Sequence, residues 1–263
     1  MALADLTGAS LALARSESES ARFGRPVFRM TVPDSYTDAD GLRAAVLDAD
    51  ADVIILRYRS SATMIPRLLA AIGHPLIHTP ALSYWEARPA RYVPPPLPEG
   101  LTVRSDLGDP AACALAVARI GEIFAGYVNH YSYNPLFSPE LSLAGYQEWA
   151  ERTIRSSPED SSVLLHDGQV IGVATMFREA AADPAQGEQT EVALAGLVAG
   201  TRGRGWYEHL LGACIARTQQ IGAARLVIST QVTNAGVQRA WARMGMLPFD
   251  SVETTHLVRP GLL

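Results

Sequence analysis

The stretch from Leu197 to Leu211, LVAGTRGRGWYEHLL, constrains this chain more than any other. An apolar run, Glu191 to Val198, reads as a strand. It delivers the backbone into Arg202-Gly203-Arg204-Gly205, and an amphipathic helix follows from about Gly205 to Gly222. Glycines at a strand-to-helix turn let the backbone approach a ligand with its N–H groups turned inward. The first turn of the helix adds its own unpaired N–H groups and its positive dipole end. The pattern is a seat for a diphosphate. A dinucleotide-binding fingerprint is disfavoured, because Glu208 stands where its third glycine would be.

The length, 263 residues, admits one large domain or two small ones. With 48% hydrophobic and 19% charged residues the chain has enough apolar surface for a core, which argues against wholesale disorder. A net charge of −5 speaks against nucleic-acid binding, which needs a basic face, but leaves room for a local arginine cluster around one anionic ligand. Cys113 and Cys214 are far apart and have no metal-ligand spacing, so they are expected as buried thiols in a reducing cytosol, with no metal. No apolar run reaches the ~18 residues of a membrane span. Asp5 sits where a signal peptide carries positive charge, and SESES follows. Residues 1–20 therefore read as a loose N-terminal segment of a soluble, cytoplasmic protein with no membrane partner.

Val93-Pro94-Pro95-Pro96-Leu97-Pro98 is the clearest punctuation, since three prolines continue neither a helix nor a central strand. Residues 93–99 are taken as a linker between a smaller α/β domain, 21–92, and a larger one, 100–263. The first unit alternates strand and helix: a strand at Pro26–Val32, a helix capped by Thr37 and running to Asp48, and a buried strand at Asp52–Tyr58. A helix capped by Ser61 follows, then an extended run, Leu76–Trp85, interrupted by Pro80. Its Arg57, Arg59, Arg67, Arg88 and Arg91 read as solvated surface groups that could also touch a phosphate of a substrate. In the second unit Asp109-Pro110 starts a helix, and Leu141–Ile154 is another. Asp167-Gly168 joins Ser162–Leu165 to Val170–Phe177 as a hairpin, a polar loop spans Asp183–Gln189, and Leu226–Thr230 is a strand. Asn234 caps a helix that stops at Gly245, and Val252–Val258 is a last strand.

This order of elements resembles the GNAT superfamily of acyl-CoA-dependent N-acyltransferases over roughly Gly100 to Arg259. Arg202-Gly203-Arg204-Gly205 is similar to the family's [QR]-x-x-G-x-[GA] loop. Asn234 with Ala240, Arg243 and Gly245-Met246 is similar to its N-x-x-A…G-[FM] helix. The runs Leu226–Asn234, Val252–His256 and Phe124–Trp149 resemble dTDP-fucosamine N-acetyltransferases, which carry an extra N-terminal α/β unit. The resemblance implies an α/β (α+β) fold with a mixed, mostly antiparallel central sheet flanked by helices. It also implies acetyl-CoA or another acyl-CoA as co-substrate, an amine acceptor on a nucleotide sugar, and a homodimer. Leu197 and Val198 would offer backbone groups to the thioester and pantetheine. The N–H groups of Arg202, Gly203, Arg204, Gly205 and Trp206 would hold the pyrophosphate, and Asn234 would contact the arm of CoA. Two positions depart from the family pattern. Tyr207 replaces the third small residue of the loop, and Trp241 stands where the family usually has a Tyr that protonates the departing thiolate. Indole N–H donates but does not ionise usefully.

Acyl transfer to an amine needs a free lone pair, support for the oxyanion and relief of the thiolate. Val198 N–H is the expected oxyanion donor. His130, in the aromatic loop Asn129–Pro135, is the first candidate for an acceptor-side base or orienting group; otherwise it is a loop histidine bonded to backbone. Glu191 is the second base candidate, and an exposed strand-end charge is the alternative. Tyr131, Tyr133 and Asn134 could meet a sugar or base, or fill the loop's own core. Alternation sends Thr254 and His256 to one face of the last strand, toward the acceptor, and Thr255 to the other. Two other functions remain open on these residues. One is an acyltransferase for an antibiotic, amino-acid or peptide amine. The other is a non-catalytic acyl-CoA-binding module, which Trp241 would explain.

Overall fold

The computed structural model describes Leu6, residues 10–180 and residues 187–263. The first half runs β1 (Ala12–Arg15), α1 (Glu17–Phe23), β2 (Val27–Thr31), α2 (Ala39–Asp48), β3 (Val53–Arg59), α3 (Ile65–Ala70) and β4 (Leu76–Ala87). Beyond the proline run come β5 (Leu101–Ser105), α4 (Pro110–Phe124), α5 (Pro139–Ser156), β6 (Ser162–His166), β7 (Gln169–Ala180) and β8 (Glu188–Leu197). The chain continues through α6 (Trp206–Ile221), β9 (Arg225–Gln231), α7 (Ala235–Arg243) and β10 (Leu247–Val258).

Local chemistry explains most of these boundaries. Asp109 accepts a hydrogen bond from Ala112 N–H at the start of α4, and Ser138 accepts one from Leu141 N–H at the start of α5, each with proline in the first turn. Asp167 and Gly168 both have positive φ, 48° and 78°, which matches the twist of the β6–β7 hairpin. Pro80 lies at a register shift between β4 and β10, where an N–H is dispensable and the strand continues past it. The cap of α2 is Asp38 rather than Thr37, and α3 starts at Ile65, after the expected Ser61. Residues expected to be loose do more. Ala12–Arg15 pairs with β2, and α1 buries Glu19 and Phe23. The polar loop expected at Asp183–Gln189 falls partly outside the described residues, and Glu188 and Gln189 belong to β8.

The ten strands among the described residues join one sheet in the order β1-β2-β3-β10-β4-β9-β8-β7-β6-β5. Only the β2–β3 and β8–β9 pairs are parallel, so the sheet is mixed and mostly antiparallel. β3 and β4 are consecutive in the chain but do not pair; β10 lies between them, antiparallel to both. Both faces carry helices. On one face Leu210, Leu211, Ile215 and Trp241 of α6 and α7 pack on Trp85, Leu226 and Ile228, and α2 and α3 cover Ile54, Leu56 and Leu257. On the other face α4 and α5 cover Val163, Val173 and Leu194, while Phe23 of α1 packs on Val27, Val53 and Ile55. Both cysteines are buried and unpaired. Among the described residues no helix is long and apolar enough to cross a membrane.

Candidate active site

The parallel ladder between β8 and β9 stops at Val192–Ile228, although β8 runs on to Leu197 and β9 to Gln231. The two strands part there. Ala193 is a bulge, because Thr175 of β7 faces Leu194 while Met176 faces Val192. Val198 N–H donates to Ile171 O at 2.9 Å, so 198 and 171 are a hydrogen-bonded antiparallel pair. By alternation Gly196 and Leu194 also point their amides at β7, whereas Ala195 and Leu197 point theirs into the split. This corrects the expectation for Val198: its N–H is already spent on β7 and is not free for an oxyanion. Leu197 N–H is free of β7, and its carbonyl accepts from Arg202 Nε at 3.2 Å.

At the mouth of the split stands the glycine turn. Gly203 and Gly205 have φ of 81° and 79°, a region L side chains rarely enter, and Gly205 immediately precedes α6. The N–H groups of Gly203, Arg204 and Gly205 have no backbone partner among the described residues. Those of Trp206 and Tyr207 belong to the unpaired first turn of the helix. Arg202 differs from expectation. Its N–H donates to Ala199 O, and its guanidinium bonds Leu197 O and Ile123 O, tying the turn to the end of α4. Trp206 stacks on His166 at 4.6 Å, with the Arg204 guanidinium 4.9 Å from its ring. Asn234 caps α7 and donates to Thr230 Oγ1 at 3.1 Å. These residues leave a cradle of free amides beside an opened strand edge, which fits the pyrophosphate and arm of CoA.

A cavity of about 450 Å³ passes through the split. Toward α6 and α7 it is lined by Tyr207, Val237 and Trp241. Trp241 is fully buried, and its Nε1 donates to Tyr207 Oη at 3.3 Å. Because indole can only donate, the phenol oxygen must accept, and its own O–H is left for a ligand. Burial raises the Tyr207 pKa, so the phenol keeps that proton at neutral pH.

Toward α1, α4 and α5 the walls are Glu19, Arg29, Arg57, Tyr84, His130, Tyr131, Tyr146 and Glu191. Glu191 is buried at 7% exposure, and its Oε2 has no partner among the described residues. Burial, assisted by Glu179, pushes its carboxyl up to about 8. It is therefore no exposed strand-end charge.

His130 is ordered by a chain of hydrogen bonds. Leu136 N–H donates to Asn134 Oδ1 at 3.0 Å, which fixes the amide so that its Nδ2 donates to His256 Nδ1 at 3.1 Å. Neutral His256 then carries its proton on Nε2 and donates to His130 Nδ1 at 3.0 Å. His130 is left with a proton on Nε2. Burial, then His256, Arg57 and Arg29, hold the His130 pKa well below its usual range, and burial takes His256 down to about 3. The imidazole expected as a base is thus a neutral donor, because its one lone pair is occupied. His256 stands behind it. Thr254 does not line the cavity; its carbonyl accepts from Thr79 Oγ1, and Thr255 faces the opposite side toward His78, as alternation requires. Asn134 is buried and serves this chain, and Tyr133 is 42% exposed and away from the cavity.

Sequence reasoning missed Glu19, Arg29, Tyr84 and the role of Tyr207. Glu19 accepts from Arg29 Nε at 2.6 Å and from Tyr131 Oη. Burial alone would raise its pKa, yet Arg29 and Tyr131 bring it down to about 2, so it is ionised. Ser16–Ser20 falls in the segment expected to be loose; the hydrogen bonds of Ser20 with Val27 and of Glu19 with Arg29 hold α1 against β2 and place Glu19 inside. Arg57, expected on the surface, also faces the cavity.

Residues 130–246 match the model of the acetyltransferase (GNAT) family. A comparison with curated protein sequences finds no match. Among solved structures, a GCN5-related N-acetyltransferase from Sphaerobacter thermophilus superposes with a TM-score of 0.65 at 17% identity, over 96% of this chain and 78% of its own. A GCN5-related glucosamine N-acetyltransferase region of a fungal multi-domain GH3 β-N-acetylglucosaminidase gives 0.63 at 15% identity, over 94% of this chain and 31% of its own. A tandem GNAT protein from the clavulanic acid biosynthesis pathway gives 0.59 at 14%, over 89% and 76%.

Proposed function

We propose, from the match of residues 130–246 to the model of the acetyltransferase (GNAT) family, that the chain moves acetyl, or another small acyl group, from CoA to the amine of a nucleotide-linked amino sugar in the cytoplasm. The observation that carries the transfer is the parting of β8 and β9 with free amides at its mouth and an unpartnered carboxyl, Glu191, at its closed end. The amides of residues 203–207 hold the coenzyme's diphosphate, and Ala193–Leu197 face its arm and thioester. The acceptor nitrogen attacks the thioester carbonyl, the C–S bond breaks, and Glu191 takes the proton released from nitrogen. A carboxyl titrating near 8 matches the acidity of a sugar ammonium, which suits proton exchange between them.

The amide N–H of Ala195 or Leu197 replaces Val198 as donor to the oxyanion, since both point into the split. The Tyr207 hydroxyl, aligned by Trp241, donates to the departing thiolate, so the phenol missing from α7 is supplied by α6. His130 Nε2–H orients the acceptor. The test is release of CoA thiol on incubation with acetyl-CoA and dTDP-4-amino-4,6-dideoxyhexoses, against a panel of antibiotic, amino-acid and peptide amines. Turnover confined to the nucleotide sugars supports the reading. Turnover confined to the simple amines replaces the acceptor, and tight CoA binding without thiol release for any amine replaces transfer by binding alone.

A further inference from the structure

The acceptor lobe holds buried ionisable atoms that no described residue satisfies. Glu191 Oε2 is one. Another belongs to Arg57, on β3 opposite Thr254 of β10. Its Nε is buried with no hydrogen-bond partner, and among the described residues the guanidinium makes no ion pair. Its neighbours explain why it stays unpaired. Glu19 is fully engaged by Arg29 through both carboxylate oxygens and by Tyr131. Arg22 is held by Glu148, and Arg59 by Asp34 and Asp250. His130 and His256 are neutral. Ionised Glu19 cancels Arg29, and the charge of Arg57 remains in excess. Arg57 and Glu191 line one cavity but do not meet, and Tyr84 stands between them, close enough to sense both.

An unpaired guanidinium in a desolvated wall is costly, because the attraction that would offset its lost hydration is missing. A planar fork of donors fits a carboxylate or phosphate. We propose that Arg57 is the anchor for an oxyanion group of the acceptor, so that the substrate is an amine carrying a carboxylate or phosphate, with the amine at Glu191 and the anion at Arg57. This rests on the acyl-transfer reading for the position of the amine, but the anion site itself does not. It gives the first half of the chain a share in recognition, since α1, β2 and β3 supply that end of the cavity.

Two measurements separate the proposals. In the first, calorimetry follows binding of inorganic phosphate to the full chain already saturated with CoA, so that the diphosphate seat is filled. Saturable binding that is lost in Arg57→Gln and partly kept in Arg57→Lys is expected. Absence of phosphate binding, or equal binding by Arg57→Gln, overturns the anion site. In the second, kcat/KM is compared for glucosamine and glucosamine 6-phosphate, and for alanine and alaninamide, the two pairs separating phosphate from carboxylate. The anionic member of at least one pair is expected to be favoured tenfold or more, with that ratio falling to near one in Arg57→Gln. A ratio near one in the unmodified protein overturns the proposal. Phosphate binding at Arg57 without thiol release from any amine would leave the anion site standing and defeat the transfer reading instead.

Discussion

At the scale of single residues, Glu191 is the most consequential group. Its carboxyl titrates near 8 in the folded chain, well above an unfolded glutamate. Activity should therefore rise with pH and level off above about 8, and Glu191→Gln should remove that inflection and lower kcat by about 10²-fold. The same shift bears on stability. A carboxyl whose folded pKa exceeds its unfolded pKa stabilises the fold below the unfolded value, and that contribution is lost as pH rises toward the folded value. Thermal melts of the protein and of Glu191→Gln should diverge between pH 4.5 and 8, the variant gaining on the parent by on the order of a few kcal/mol. Tyr207→Phe should lower kcat by about 10²-fold with little change in the Kd of CoA, since only the thiolate's donor is lost. Glu191 was readable in the sequence as a base candidate because it lies on the strand that leads into the glycine turn. The donor state of His130 was not, because it depends on Leu136, Asn134 and His256, and the last of these comes from β10, 126 positions along the chain.

Among the elements, the β8–turn–α6 unit was the most legible. Gly203 and Gly205 announce positive φ, and the apolar run before them announces the strand. Gly205→Ala or Gly203→Ala should cost about 1–2 kcal/mol each in unfolding free energy, from the left-handed backbone alone. No atom lies within 4 Å of a Cβ built at either position, so the loss should come from strain and not from collision. Titration calorimetry with CoA should show a weaker Kd as the amides tilt away. The caps at Asp109 and Asn234 were legible for the same local reason, whereas α5, read from Leu141, starts at Pro139 under a Ser138 cap. The parting of β8 from β9 follows from no residue in either strand; it shows only in where the ladder ends. Residues 12–20 misled because a short strand and a seven-residue helix carry little periodic signal, and the anchors of Glu19, Arg29 and Tyr131, lie elsewhere in the chain.

For the molecule as a whole, the proline run at 93–98 marks a break in the chain but not in the sheet. β4 lies between β10 and β9, joined to both by antiparallel ladders. A fragment of residues 100–263 would lack β4 and leave those two strands apart, and its far-ultraviolet circular dichroism should show no cooperative melt. Adding residues 1–99 in trans should restore one. This arrangement was hidden from the sequence because it is set by pairing between distant strands, which no local pattern encodes. It also has a consequence for how the protein comes into being. As a ribosome makes the chain, β3 and β4 emerge early with a slot between them, and the strand that fills it is translated after the other nine. Until then the middle of the sheet has two raw edges, which are templates for the wrong neighbour. The nascent chain must either keep those edges apart or be sheltered by a chaperone, and a slow step in producing cells would fall late, after most of the polypeptide has already left the tunnel.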